Sequence, residues 1–411
     1  MKILEQALNK INPIHKKQKD FLITFITALL GSVGKKTFRN VARFAQITEH
    51  TIARQMKKAF DFASLNLEMI KIIKTDFTVL VAAQDTSFAS KSGRKTNGLD
   101  WFWNACAGKA EKGLELDVIA IIKVEPGKNK AFTLSAQQTP ANPIPKSERK
   151  KKNLEEPNRI DFALNHVEKI LLKLLALKIN YMVADAFYAK IKYVDGIQKH
   201  GLHVISKLRK DAQLKRPFAG VQKKRGRRRK SENSRINSQD FQNSIVIKID
   251  GQQIELRSCI AYSSSLKKLI KIVWIKKIIG TKEGKVFLFS TDTTQDALQI
   301  YEFYVARFQI EFIFRDAKNF TGLTDCQSRD AKRMDYHYNA SLLALNVVKF
   351  QDIEMQKIAQ VDHAFSMNNW IRKYHVTIVI NRVFSMLNFD LTLIKSHPCF
   401  EKVLALGNIM H

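Results

Sequence analysis

Hydrophobic and polar positions change their spacing several times along the 411 residues of the chain. Over residues 1–75, apolar side chains recur at helical intervals and never alternate as in a strand, which predicts a helical region. From residue 77 onward the pattern becomes short apolar runs bounded by turn residues, which is typical of strands. Three such runs predict a meander: "FTVLVAAQDTS" (77–87), "DWFWNACAGKA" (100–110) and "LELDVIAIIKV" (114–124).

The next segments alternate between helical and strand patterns. After a charged loop at 145–158, the sequence predicts a helix over 159–178, the strand "INYMVADAFYA" (179–189), a helix near 191–200 and the strand "HVISKL" (203–208). The resulting order, β-β-β-α-β-α-β, predicts a mixed α/β sheet, which binds its ligands at the carboxyl ends of strands. Asp85 and Asp185 both lie at predicted ends of this kind.

Residues 209–285 are again strand-like but carry a strongly basic stretch. "KKRGRRRK" (223–230) contains seven basic residues in eight positions. We therefore predict a β-rich insertion with a mobile basic loop. Its strands are predicted at "SIVIKI" (244–249), "IELRSCIAY" (254–262) and "KIVWIKKII" (271–279), and "VFLFSTDT" (286–293) returns to the core sheet.

The segment "YEFYVARFQIEFIFRDAKNF" (301–320) predicts one helix with two distinct faces, capped by Thr293 or Thr294. At about 100° per residue, its apolar residues form one face and a single carboxylate flanked by cations lies on the other. The polar line consists of Tyr304, Arg307, Glu311, Arg315 and Lys318. An ordinary solvated face with ion pairs at i,i+4, Arg307–Glu311 and Glu311–Arg315, would have the same pattern.

The charge of the chain indicates a polyanionic partner. There are 69 Lys and Arg against 38 Asp and Glu, a net charge of +31. The longest apolar run, 21–33, is too short to cross a bilayer, so nucleic acid is favoured over a membrane. Four widely spaced cysteines indicate neither disulfides nor a zinc site and fit a reducing cytoplasm.

Residues 38–60 predict two short helices around a turn at 46–48, with Thr48 capping the second. Arg54 and Lys57 on the second helix are candidate DNA contacts. A plain helical bundle remains the alternative, because any helical hairpin has this pattern.

Asp85, Asp185 and Glu311 together indicate phosphodiester chemistry. Two divalent cations can activate a water and stabilise the leaving oxygen, and hard cations such as Mg²⁺ need only a few carboxylate oxygens from the protein. Singly, each aspartate is more often a turn cap and the glutamate half of an ion pair. Their joint occurrence beside a cationic helix face favours a catalytic site.

The spacing Tyr304-x2-Arg307-x3-Glu311-x6-Lys318, with "AAQDTS" around Asp85, "VADAFYA" around Asp185 and "NASLLALNVVK" (339–349), resembles the insertion-sequence DDE transposases of the IS-four type. The resemblance covers about residues 77–349. It departs from the family at two positions: Phe308 stands where Trp is frequent, and Ala186 where a charged residue or glycine is favoured.

This resemblance implies an RNase H-like fold with a β insertion before the last catalytic helix. It implies that Asp85, Asp185 and Glu311 bind Mg²⁺, for which Mn²⁺ can substitute. Tyr304, Arg307 and Lys318, with Arg315 beside them, would contact DNA near the cut end. Trp274 lies where family members hold a flipped base with an aromatic ring, but strand packing is the favoured interpretation and it is assigned no role.

The complete prediction is an α/β protein with an RNase H-like mixed-sheet core, interrupted by the β-rich insertion and flanked by helical regions. Its function would be that of an insertion-sequence transposase, an endonuclease of a mobile element that binds terminal inverted repeats and target DNA as a homodimer. We expect it in a bacterial-type cytoplasm, on the nucleoid when bound. The alternatives are a DNA-binding protein without chemistry and an RNase H-like nuclease without strand transfer. The predicted regions are 1–76 (helical, DNA-binding), 77–208 (core, first part), 209–285 (insertion), 286–349 (core, second part, with the catalytic helix) and 350–411 (helical).

Overall fold

A computed structural model describes most of the chain. The described residues are 1–11, 14–75, 78–125, 127–141, 158–209, 211–249, 252–279, 282–360 and 363–405. All but the last residue of the charged loop predicted at 145–158 lies outside them.

The described part of the N-terminal region is helical, without strands, as predicted. Thr48 caps the second helix of the predicted hairpin by accepting a hydrogen bond from the Thr51 backbone N–H, and Gln46 ends the first in a left-handed conformation. A short polar side chain before the helix and a left-handed residue after it satisfy the free backbone groups at helix ends. The helices are α1 (Lys2–Lys10), α2 (Lys16–Gly31), α3 (Phe38–Ala45), α4 (Glu49–Gln55) and α5 (Phe62–Ile73).

The core sheet begins with four strands and continues through two units in which a helix is followed by a strand. Its strands are β1 (Leu80–Ser90), β2 (Asp100–Asn104), β3 (Lys109–Lys123), β4 (Lys130–Gln138), β5 (Tyr181–Ala184) and β6 (His203–Lys207). Helices α6 (Arg159–Ala176) and α7 (Ile191–Lys199) precede β5 and β6. Strands β1, β5 and β6 are parallel, and β3 is antiparallel to β1. The order β4-β3-β1-β5-β6 is that of an RNase H-like sheet, which confirms the predicted fold class.

The predicted meander of three strands is wrong in its order. Strand β3 pairs directly with β1 over residues 113–123, and β2 pairs only with the beginning of β3. The reason is length: β3 has 15 residues and can pair with β1 on one side while β2 and β4 share its other side.

The strands of the insertion extend the core sheet instead of forming a sheet of their own. They are β7 (Leu214–Pro217), β8 (Ser231–Arg235), β9 (Gln242–Ile249), β10 (Gln252–Ser263), β11 (Lys268–Ile279) and β12 (Lys282–Ser290). Strand β12 pairs antiparallel with β6, and the order continues β6-β12-β11-β10-β7-β8, with β9 on β10. The described strands thus make one sheet of twelve.

The helix predicted over 301–320 is two helices, α8 (Ala297–Ala306) and α9 (Gln309–Phe320). At the break, Phe308 and Ile310 donate backbone hydrogen bonds three residues back, as in a tightened turn. The predicted cap is wrong: Asp296, not Thr293 or Thr294, accepts the backbone N–H groups of α8. The helices α10 (Ala331–Ala359), α11 (Met367–Met386), α12 (Leu391–Ser396) and α13 (Phe400–Ala405) follow, as the helical pattern predicts.

Helix α10 anchors the core beneath the site. Its residues from Tyr336 to Val348 are buried on all sides. Asn346 makes two hydrogen bonds to the Thr133 backbone of β4 and one to Asn66 of α5. Because a buried amide needs such partners, these bonds fix the register of α10 against the sheet.

Candidate active site

A cavity of about 950 Å³ opens beside the point where β1 loses its parallel neighbour β5. Gln84 of β1 lies opposite Ala184, the last residue of β5, so Asp85 and Asp185 occupy the next position on adjacent strands. Adjacent strands are about 4.8 Å apart. The prediction that Asp85 ends its strand is wrong, because β1 continues to Ser90 beside β3. The two aspartates are nevertheless neighbours, and Glu311 of α9 lines the same cavity.

Backbone groups orient the two aspartates. Asp185 Oδ1 accepts a hydrogen bond from the Phe187 N–H at 2.8 Å and so caps the short turn of residues 186–188. Asp85 Oδ1 accepts one from the Thr86 N–H at 2.8 Å. Each side chain thus has one oxygen held by backbone, which limits its rotation.

Arg307 bridges Asp85 and Glu311. It stands at the break between α8 and α9, is only 5% exposed, and donates from Nη1 to Asp85 Oδ2 at 3.0 Å and from Nη2 to Glu311 Oε1 at 3.2 Å. The rings of Tyr304 and Phe308 lie 5.6 and 4.8 Å from its guanidinium carbon. The pair Arg307–Glu311 of the solvated-face alternative is therefore present, but it lies in the cavity. The pair Glu311–Arg315 is replaced by Arg315 Nε with Asp316 at 2.9 Å.

The electrostatics of the cavity favour a cation. Burial, together with the nearby charges of Asp185 and Glu311, raises the pKa of Asp85 to about 7 against the opposing charge of Arg307. A desolvated carboxylate among others of the same charge is stabilised by any cation that reaches it.

The donors fit a hard divalent ion in chemistry, because all are carboxylate oxygens. Among the described residues, however, no three His, Cys, Asp or Glu side chains lie close enough together to hold one ion. Asp85 and Glu311 are kept apart by Arg307, whose guanidinium lies between their carboxylates.

The remaining predicted residues of the helix differ in where they lie. Lys318 lines the cavity, and its Nζ donates to the Phe88 carbonyl at 2.9 Å; burial lowers its pKa. Arg315 is exposed at the mouth, over the Phe312 ring. Tyr304 is half-buried, does not line the cavity, and packs edge-on against Phe308. Of these three residues, Arg315 and Lys318 therefore line the cavity with the carboxylates, and Tyr304 does not.

Two further acidic residues that line the cavity were not predicted from the sequence. Glu115 and Asp117 of β3 are both buried at its wall. Burial raises the pKa of Glu115, which pairs with Arg159 at 3.4 Å. The signal was present in "LELDV", where charged residues alternate inside an otherwise apolar strand.

Asp117 belongs to a buried network under β1. Gln84 Nε2 donates to Asp117 Oδ2 at 2.9 Å and its Oε1 accepts from Tyr193 Oη at 2.7 Å. His166 bonds Asp117 through Nδ1 at 2.7 Å and Ser135 through Nε2 at 2.8 Å. Because Gln84 immediately precedes Asp85, the network fixes the backbone that carries the aspartate.

Outside the cavity, Arg54 and Lys57 are exposed at the end of α4. Phe308 stands at the break between α8 and α9 and is 44% exposed, whereas the periodicity of one unbroken helix predicts that it lies partly inward. Trp274 of β11 stacks on Phe287 and meets Phe241 edge-on, in line with strand packing.

A mixed sheet of this order with carboxylates gathered beside its parallel strands is typical of nucleases that cleave phosphodiesters with bound metal. Residues 4–245 match the family described as DDE superfamily endonuclease, and residues 161–347 match the transposase DDE domain. The first match covers more than half of the chain, which therefore belongs to the DDE superfamily of endonucleases and is a nucleic-acid-cleaving enzyme. No curated protein matches it. No described helix is long and apolar enough to cross a membrane.

Proposed function

We propose that this DDE enzyme is the transposase of an insertion sequence of the IS-four type. It binds the terminal inverted repeats, cleaves DNA strands with Mg²⁺, and joins the freed 3′-OH to target DNA. The observation that carries the proposal is the meeting of Asp85, Asp185 and Glu311, distant in sequence, around one cavity with Arg307 between two of them.

Asp85, Asp185 and Glu311 are the residues that would hold the cations. Bound divalent cations supply an activated water and stabilisation of the leaving oxygen. Arg307 neutralises Asp85 and Glu311 in the metal-free site, and its guanidinium would be available to a phosphate where cations held those carboxylates. The position of the guanidinium supports this exchange between arginine and cation, because it lies against the same two carboxylates.

The chain also has the groups to hold the DNA. Lys318 and Arg315 line the cavity beside Glu311 and would contact phosphates on either side of the cut. Tyr304 would act through the position of Arg307, whose guanidinium lies over its ring. The net charge of +31 and the exposed Arg54 and Lys57 support contact with the flanking duplex. Two copies would bind the two ends of the element as a homodimer.

The test is a strand-cleavage and strand-transfer assay. The substrate is a labelled duplex that carries the element's end sequence, incubated with the full-length protein in Mg²⁺, Mn²⁺ or EDTA. We expect a metal-dependent nick at the element boundary, and transfer of a pre-cut end into a plasmid. Metal-dependent cleavage without transfer of the pre-cut end would identify a nuclease and refute the transposase. Binding without metal-dependent cleavage of any duplex would contradict the assigned site.

A further inference from the structure

A second cavity, of about 830 Å³, lies between α9, α10 and the turn that precedes β4. We call it the α9–α10 cavity. Its lining includes Phe312 and Asp316 of α9 and Lys349 and Asp352 of α10. Among the described residues, only Arg315 lines both this cavity and the catalytic one. Cavities of this size are typical of sites that bind small molecules.

Lys349 brings a desolvated positive charge to this cavity. Its Nζ donates a hydrogen bond to the Ala131 carbonyl at 2.9 Å, and it forms no ion pair in the described part of the chain. Burial, together with the charges of Arg315 and Lys130, lowers the pKa of Lys349 to about 8 against the opposing charge of Asp316. At pH 7 the amine is therefore mostly protonated, and a desolvated cation is stabilised by any anion that reaches it.

The acidic side chains of the described lining have partners of their own; they are Glu125, Asp316 and Asp352. Glu125 pairs with Lys123, and Asp316 pairs with Arg315 at 2.9 Å. Asp352 accepts hydrogen bonds from Trp370 Nε1 at 2.9 Å and from Gln356 Nε2 at 2.8 Å. None of the three is therefore free to serve as the counterion of Lys349.

The described lining also has an excess of positive charge. Against the three acids stand five basic residues, an excess of two; they are Lys128, Lys130, Arg315, Lys349 and Lys357. A phosphomonoester carries about −1.5 to −2 charges at pH 7. Arginine and lysine are the side chains that bind such a group, the one as a planar fork and the other as a point charge. The cavity is thus complementary in charge to one phosphate monoester.

Beside these charges the cavity has an aromatic face. The Phe312 side chain is 42% exposed, and the Arg315 guanidinium lies 4.7 Å from its ring centroid. Ile353 and Phe365 extend the apolar part of the lining. Because every nucleobase has a flat face that stacks on such a ring, the site is suited to a base joined to a phosphate.

We propose that the α9–α10 cavity binds a free mononucleotide, with its phosphate on Lys349 and Arg315 and its base on Phe312. The site is independent of the proposed function, because no part of it requires DNA. The phosphorylated 5′ end of a DNA strand has the same chemistry, and the competition experiment separates the two sources.

Occupancy of the cavity has one consequence that does rest on the proposed function. There Arg315 contacts a phosphate of the DNA, and a nucleotide in the α9–α10 cavity competes for the same guanidinium. Nucleotide and duplex should therefore weaken each other's binding by the same factor.

The first experiment is calorimetric titration of the full-length protein in EDTA with deoxyadenosine monophosphate (dAMP), inorganic phosphate or deoxyadenosine. We expect dAMP to bind at least about tenfold more tightly than either fragment, because stacking and charge both contribute. A ten-nucleotide strand should compete with dAMP equally whether its 5′ end carries a phosphate or a hydroxyl. Tighter competition by the phosphorylated strand would assign the cavity to a DNA end, and absence of dAMP binding at millimolar concentration would refute the site.

The second experiment removes the amine. Lys349→Met should lower the affinity for dAMP by at least about tenfold, because a charge-assisted hydrogen bond is lost. Lys36→Met is the matched control: its amine also donates to a backbone carbonyl, that of Ser32, and burial lowers its pKa to about 8, but it lines a different cavity. Lys36→Met should keep the wild-type affinity. Equal losses in the two variants would overturn the assignment of the phosphate to Lys349.

The third experiment removes the ring. Phe312→Leu should weaken dAMP binding by about tenfold and leave the affinity for inorganic phosphate unchanged. Phe308→Leu is the control, because its ring is 44% exposed and lies 4.8 Å from the Arg307 guanidinium, but outside the cavity. An unchanged dAMP affinity in Phe312→Leu, or the same loss in both variants, would contradict stacking of the base on Phe312.

The dependence on pH provides a test in the unaltered protein. Its affinity for dAMP should fall by about tenfold per pH unit above pH 8, as the Lys349 amine loses its proton. Other charged groups also line the cavity around this amine; they are Arg315 and Asp316 of α9, Lys130 of β4, Asp352 and Lys357 of α10, and Glu125, Lys128 and His363 beside them. Lys349→Arg, whose guanidinium keeps its charge, should abolish the decline. A decline that persists in Lys349→Arg would assign the titration to another group and overturn the role of Lys349.

The coupling is measured by the anisotropy of a labelled duplex in EDTA, with and without saturating dAMP. Weaker duplex binding in the wild type, but not in Arg315→Gln, would support the shared arginine. If dAMP bound without any effect on the duplex, the nucleotide site would stand and the sharing of Arg315 would be refuted. A protein that binds dAMP but never cleaves DNA would keep the site and refute the transposase.

Discussion

Two regions of the twelve-stranded sheet, around the central strand β1 and around the outer strand β8, differ in burial and in charge. In β1, the residues from Leu80 to Gln84 are all buried, and the side chains gathered beside them are acidic. In β8, the residues from Asn233 to Arg235 are exposed, and the adjoining stretch 223–230 is basic. Chemistry needs carboxylates held to a fraction of an ångström, which burial provides, whereas holding a phosphate needs only charge within reach.

The largest expected effect is in the acidic region beside β1. Asp85→Asn or Asp185→Asn should reduce strand cleavage by far more than the roughly 100-fold typical for a supporting residue of a metal site. Duplex binding should change by less than about twofold, because it depends on phosphate contacts elsewhere. Cleavage and anisotropy assays measure the two. Asp211→Asn, an exposed carboxylate paired with Arg209 at 3.1 Å, is the control. Wild-type cleavage by either variant would refute the assignment.

The bridge made by Arg307 gives the next effect. Arg307→Gln should lower the free energy of unfolding in EDTA by about 3 kcal/mol, because it leaves a buried carboxylate without its counterion. In Mg²⁺ the loss should be smaller, since the cation takes over that role. Urea unfolding in both buffers tests this. Arg209→Gln, whose pair with Asp211 is exposed on both sides, should cost less than about 1 kcal/mol in either buffer. An equal loss for Arg307→Gln in both buffers would show that arginine and cation do not replace each other.

The buried network below Asp85 is expected to have an intermediate effect. Gln84→Leu removes hydrogen bonds to Asp117, the Ala163 carbonyl and Tyr193, and should cost about 2 kcal/mol of stability. It should also slow cleavage by about tenfold without changing DNA affinity, because β1 is less firmly held. Gln137→Leu, which breaks two weaker bonds of 3.3 Å, one to the Phe162 carbonyl and one from Lys169 Nζ, is the matched control. If Gln84→Leu lost stability but kept the full cleavage rate, the network would contribute to folding alone.

Lys318→Ala should have the smallest effect. Half-buried beside Phe88, it should weaken binding of the cut end and lower the salt slope by about 0.9, the value for one phosphate. Lys178→Ala, at an exposed position before the amino end of β5, should leave the slope unchanged. A wild-type slope for Lys318→Ala would argue that its role is to hold the Phe88 carbonyl.

Much of the fold could be predicted because its signals are local. The hairpin of α3 and α4 is set by Thr48 and the turn at Gln46, and the apolar runs around Asp85 and Asp185 identify two strands of the core. What failed depends on pairing between distant segments. Strand β4, "KAFTLSAQQ", contains small and polar residues and is defined by its partner β3, so its own pattern did not reveal it.

The site was predictable in composition but not in arrangement. Helical periodicity places Arg307 and Glu311 on one face, but it cannot show the break after Ala306, nor that Asp85, 222 residues away, meets the same guanidinium. Glu115 and Asp117 were missed because alternation in a strand is ordinarily assigned to a solvated face, whereas both faces of β3 are covered here. The assignment of the three carboxylates as metal ligands stays a prediction.

The pairing of β12 with β6 constrains what can be removed from this enzyme. An engineered or natural deletion of residues 209–290 would leave the unpaired N–H and C=O groups of β6 open to solvent and to other chains. Unprotected strand borders of this kind nucleate aggregates. A shortened descendant of this protein would therefore need to acquire a new cover for that border before it lost the old one.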